Sequence, residues 1–121
     1  MNHAKWIKLT PLKQRIKIAT LDGWIDIHML DNGVPYGWHP QEHPKKTNRY
    51  ETPLPNYLHD LNAMHIAEIR IASDDLISTR WLANILRITG GTEQSIRATT
   101  EQRAEAFVLA MEPEPKKKVK Q

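Results

Sequence analysis

The residues able to do chemistry are six histidines and a cluster of carboxylate, amide and imidazole groups between positions 59 and 68. His39 and His43 are four apart, a spacing that suits metal ligation when both stand on one helix. Pro40 lies between them, so the spacing loses its helical meaning here. His59 and His65 are six apart and fall on different faces of a helix. Neither pair makes a metal site, and no cofactor is expected. Asp60, Asn62, His65 and Glu68 combine the types that a general acid–base site uses. Their simpler reading is structural. Asp60 and Asn62 bond free backbone groups where a helix meets a loop, and His65 and Glu68, three apart, form a surface pair. No nucleophile accompanies the set, and there is no G-x-x-x-x-G-K-[ST] or G-x-S-x-G motif. No catalytic residue is assigned and the protein is read as a non-enzyme.

Binding chemistry is better represented. Trp24, Tyr36, Trp38, Tyr50 and Tyr57 gather around a proline-rich stretch that also holds Lys45, Lys46 and Arg49. Aromatic faces with nearby cations can stack a base and attract a phosphate. Tryptophans in such a place also serve to fill a core and anchor a loop. The candidate ligand- or partner-binding residues are therefore Tyr36, Trp38, Lys45, Lys46, Arg49, Tyr50 and Tyr57, with Asp60, Asn62 and His65 on the adjoining helix.

These groups need a scaffold, and 121 residues allow one domain of ordinary size. The chain has no cysteine, which excludes disulfides, thiol catalysis, iron–sulfur clusters and cysteine zinc sites and fits a reducing cytoplasm. No apolar run approaches the length of a membrane span, and residues 1–12 lack the apolar stretch of a secretory signal. The net charge of +3 is concentrated in residues 112–121, which contribute +2. The pI of 9.3 is thus largely a property of the end of the chain and says little about a nucleic-acid-binding face on the domain.

Four helices and a small sheet are expected. Thr10-Pro11 opens a helix that Gly23 closes, with Leu12, Ile16 and Ala19 on its apolar face. Residues 24–30 alternate as a strand with Ile25, Ile27 and Met29 on one side, followed by the turn Asp31-Asn32-Gly33 and at most a short return piece. Residues 35–55 hold five of the eight prolines and read as a long loop pinned by aromatics. Pro55-Asn56-Tyr57 opens a helix with Leu58, Leu61, Met64, Ala67 or Glu68, and Ile71 on one face. Ser73 caps the next, whose stripe is Ile77, Trp81, Ile85 and Ile88, ending at Gly90-Gly91. Residues 95–98 read as a short strand. Thr99 and Gln102 form a capping box for a last helix that buries Ala104, Phe107, Val108 and Met111. The expected fold class is α+β: a small antiparallel sheet of two or three strands against three or four helices. It occupies residues 10–111 as a single domain, with residues 1–9 as an extension and residues 112–121 as a disordered lysine-rich tail.

The segment 54–68, LPNYLHDLNAMHIAE, and the segment 98–107, ATTEQRAEAF, resemble small phage-encoded proteins of the phage ABA sandwich type. Gly23-Trp24 and Gly37-Trp38 with the proline-rich loop add a weaker similarity, in the same order along the chain. The resemblance implies a layered α+β domain of phage origin and implies no reaction or catalytic residue. The expectation is a non-enzymatic accessory protein, in the cytoplasm of an infected bacterial host, that binds and blocks or sequesters a host protein or a signalling nucleotide. The alternative is a nucleic-acid-binding regulator using the loop and tail. No membrane partner is expected. A homo-oligomer is, because one thin sheet leaves an edge to be covered.

Overall fold

The computed structural model describes residues 1–41 and 52–113, with Ser95 and Ile96 described in backbone only. Among the described residues it is an α+β fold in which a three-stranded antiparallel sheet of order β1-β2-β3 is carried by six helices. In chain order these are α1 (His3–Lys8), α2 (Pro11–Asp22), β1 (Ile25–Met29), β2 (Pro35–Trp38), β3 (Thr52–Pro53), α3 (Leu61–Ile71), α4 (Asp75–Thr89), α5 (Thr92–Ile96) and α6 (Thr100–Met111).

The capping chemistry places most helix ends. Thr10 accepts from the Lys13 amide and Pro11 occupies the first turn of α2, while Gly23 ends the helix in the left-handed region at φ 104°. The capping box at Thr99 forms in both directions. Two starts differ from the sequence reading. Asp60, rather than the Pro55-Asn56-Tyr57 segment, caps α3 by accepting from the Asn62 and Ala63 amides. Asp74, not Ser73, caps α4 by accepting from Ile77. In both places a carboxylate offers the helix end a charge as well as an acceptor.

α6 is the central helix and packs against α1, α2, α3 and α4. Its run from Ala104 to Ala110 is buried on every side. Alanines at positions 104, 106 and 110 let neighbouring helices approach closely around Phe107 and Val108. The core joins Trp6, Ile18, Trp24, Leu54, Tyr57, Met64 and Ile71 to this helix. Residues 1–9 belong to this packing: Trp6 is buried in the core, and the Met1 ammonium donates to the Glu112 carbonyl at 3.0 Å.

Three expectations give way. Residues 95–98 form no strand, because the chain after Gly91 makes the short helix α5 instead. β1 does not present Ile25, Ile27 and Met29 to one interior face. Asp26 sits at φ 53° and the β1–β2 register shifts between Ile25 and His28, which breaks the alternation. Ile25 and Met29 remain 40% and 45% exposed. In α2 Ala19 is buried and Ile16 packs against the core as read, but Leu12 is exposed, and Ile18 and Asp22 join the buried side because the helix meets both α6 and β1. No helix among the described residues is long and apolar enough to cross a membrane.

Candidate functional site

A buried polar cluster connects α2, the sheet and α3. Asp22 closes α2, and the left-handed turn at Gly23 sends Trp24 back into the same interior region. The Tyr57 hydroxyl donates to Asp22 Oδ2 at 2.7 Å and accepts from Trp24 Nε1 at 2.9 Å. Arg70, one residue before the end of α3, donates to the same Oδ2 through Nη1. His39 follows β2 directly and stands edge-on to Trp24, with ring centroids 5.5 Å apart. Its Nε2 is 2.7 Å from the Asp22 carbonyl oxygen, and its Nδ1 accepts from the Gln41 amide at 3.1 Å. Those two partners together require the proton on Nε2. Arg70 Nη1 lies 2.9 Å from that nitrogen, so its hydrogens are directed to the carboxylate and not to the ring. Gly23 is favoured here by space as well as by its left-handed conformation, since a Cβ on it would lie 3.2 Å from His39 Nε2, a tight contact.

The electrostatics favour a fixed tie. Burial, then the Asp22 charge, push the Tyr57 phenol well above its ordinary value, so it stays a donor at neutral pH. The Asp22 carboxylate is balanced by the Arg70 guanidinium in a side-chain environment of 2% and 16% exposure. Asp22 Oδ1 is buried and has no hydrogen-bond partner among the described residues. Among those residues no group of three or more His, Asp or Glu side chains could hold a metal ion.

The cluster fastens both stems of the stretch between β2 and β3. His39 is held by Asp22 on one side, and Tyr57 is held by Asp22 on the other. Arg15 of α2 donates to the Leu54 and Pro55 carbonyls, and the Leu54 amide donates to the Pro35 carbonyl at 3.0 Å. Removing the guanidinium from water lowers the Arg15 pKa from its usual value.

A second feature is a groove of about 460 Å³ between α3 and α4, lined by His65, Glu68, Ile69, Ala72, Trp81 and Leu82. Its single acidic wall group, Glu68, accepts from Arg103 at 3.0 Å and has His65 Nδ1 at 3.7 Å. Burial outweighs the opposing influence of Arg103 and His65 and raises the Glu68 pKa above the ordinary carboxylate value.

The sequence-derived residues separate into three groups. Trp38 and Tyr57 are buried and Tyr36 is half-buried, so their faces are largely taken by packing. Lys45, Lys46, Arg49 and Tyr50 lie outside the described residues. Asp60 is the α3 cap, Asn62 is exposed beside it, and His65 lines the groove. Asp22 and Arg70 were missed, although a signal existed. Asp22 lies four residues after Ile18 and Arg70 three after Ala67, so each puts a charge on the apolar stripe of its helix. His39 drew notice only for its spacing from His43. No protein-family model, curated protein or solved structure matches this chain.

Proposed function

We propose that the protein is a non-enzymatic phage accessory protein that binds and blocks or sequesters a host component. The observation that carries this reading is the double clamp on the β2–β3 connection. Its two stems are fixed to α2 through His39, Tyr57, Leu54 and Pro55. A connection held so firmly at both ends, carrying Lys45, Lys46, Arg49 and Tyr50 in its sequence, suits recognition, because fixed stems reduce the ordering cost of contact. Exposed Ile25, Met29 and Leu30 on the neighbouring strand and turn extend the contact area. The phage-like segments 54–68 and 98–107 support the same reading.

Native mass spectrometry after exposure to bacterial lysate tests it. The wild-type chain is expected to retain a host protein or a nucleotide-sized mass. A variant combining Lys45→Glu, Lys46→Glu, Arg49→Glu and Tyr50→Ala is expected to lose it while melting like the wild type. A bare wild-type particle, or retention that ignores the variant, overturns the reading. DNA or RNA binding that falls steeply with salt would instead favour a nucleic-acid-binding regulator.

A further inference from the structure

One flank of α4 lines a cleft with cations and no acid. Arg80, Asn84 and Arg87 stand at i, i+4 and i+7, so they share one face of the helix. The other walls of the cleft are residues 1–3, Leu109 and Pro113, and its volume is about 260 Å³. No Asp or Glu among the described residues lines it.

Elsewhere the fold sets a guanidinium against a carboxylate: Arg70 on Asp22, and Arg103 on Glu68. Arg80 and Arg87 have no carboxylate partner among the described residues. Arg80 is half-buried, where an unbalanced charge costs more than on the open surface. The carboxylates adjoining the cleft walls are taken by other groups. Glu105 accepts from His3 Nδ1 at 2.9 Å, and Glu112 pairs with Lys17.

Neutral acceptors hold both guanidinium forks without cancelling their charge. Arg80 Nη1 donates to the Ala110 carbonyl at 3.2 Å, and Arg87 Nη2 donates to Asn84 Oδ1 at 2.7 Å. Asn84 Nδ2 in turn donates to the Arg80 carbonyl at 2.9 Å, so the amide that orients Arg87 is itself fixed. A guanidinium has five N–H groups, and each fork keeps others for a ligand. The two arginines are two turns apart, about 10.5 Å along the axis at 1.5 Å per residue, near enough for two long side chains to grip one anion between them. Forks already ordered lose less freedom on binding.

The chemistry of the ligand follows from these walls. A phosphate group carries a charge of about −1.5 to −2 and three strong acceptor oxygens, so it answers two guanidinium groups where a carboxylate answers one. The cleft is smaller than the roughly 300–1,000 Å³ of sites that enclose a drug-sized ligand, which limits the organic part. We propose that this cleft binds a small phosphate-bearing anion, free phosphate or a short phosphomonoester, through Arg80 and Arg87. The site lies apart from the β2–β3 connection on which the host-binding reading rests, so either can fail while the other stands.

Isothermal titration of the full chain with inorganic phosphate, at ionic strength held constant with chloride, tests the proposal. The wild type is expected to bind one phosphate per chain. Arg87→Gln, at an exposed position, is expected to weaken binding about tenfold, as the loss of a charge-assisted hydrogen bond does. Ala83→Glu is expected to abolish binding in a protein that melts no lower than the wild type. Its carboxylate would stand three residues after Arg80 and four before Arg87, where it engages both forks. A variant with Lys116, Lys117, Lys118 and Lys120 all changed to Gln is expected to bind as the wild type does, which separates the cleft from the lysine-rich end of the chain. Glycerol phosphate in place of inorganic phosphate distinguishes the two sources: tighter binding assigns an ester, equal or weaker binding the free anion. No heat beyond the chloride control overturns the proposal. So does binding indifferent to both cleft variants, or binding lost in the lysine variant.

Discussion

The Tyr57 hydroxyl and the Asp22 carboxylate, 35 residues apart in sequence, meet at 2.7 Å in the interior and tie the start of the α3 segment to the end of α2. Around this bond the fold gathers Trp24 through the Tyr57 hydroxyl, Arg70 through the carboxylate and His39 through the Asp22 main-chain carbonyl, so that one residue organises three stretches of chain. Its consequences can be measured.

Removing the carboxylate leaves the Arg70 charge and the Tyr57 hydroxyl without their acceptor. Asp22→Ala is expected to cost about 3–5 kcal/mol in urea unfolding, the range for breaking a buried ion pair from one side. Crossing Asp22→Asn with Tyr57→Phe is expected to give a coupling energy of about 1.5–3 kcal/mol, as for a hydrogen bond to a charged group. Additivity of the two variants would show that the contact does not stabilise the fold.

Gly23 and Gly33 both have positive φ, 104° and 77°, but only Gly23 has a neighbour within 4 Å of a built Cβ. Gly33→Ala therefore reports backbone strain alone, on the order of 1 kcal/mol. Gly23→Ala is expected to cost more, because the methyl also presses on His39. Equal losses in thermal unfolding would remove the close approach as a reason for the glycine.

The raised pKa of Tyr57 gives a pH dependence with a definite sign. The unfolded phenol ionises near its ordinary value of 10.0 while the folded one keeps its proton. Above that pH the unfolded chain binds fewer protons than the native one, so stability falls as pH rises. Tyr57→Phe is expected to be less stable at neutral pH and to show a shallower alkaline decline. A decline of the same steepness in both proteins would assign it to other groups.

Trp6 contributes the N-terminal segment's part of the core. Trp6→Ala is expected to destabilise by about 3–5 kcal/mol, as large-to-small changes in cores do. Deleting residues 1–9 should lower the melting temperature at least as much, because the bond from the Met1 ammonium to the Glu112 carbonyl goes with it. Unchanged melting in either variant would make the segment an appendage.

Local chemistry was legible along the chain. Thr10-Pro11 with Gly23, the Thr99–Gln102 capping box, the Ile77–Trp81–Ile85 stripe and the stop at Gly90 all depend on neighbours a few residues away, and the structure places each as read. The α+β class followed from those pieces. The tertiary structure alone decided the rest. Packing against α6 drew Trp6 into the core, a bulge at Asp26 turned β1 out of its alternation, and the chain after Gly91 became helix where strand residues were read. The Asp22–Tyr57–Arg70–His39 cluster belongs to the same class. A buried charge is tolerated only where a partner from a distant segment arrives to balance it, and the arrival of that partner is a property of the assembled fold.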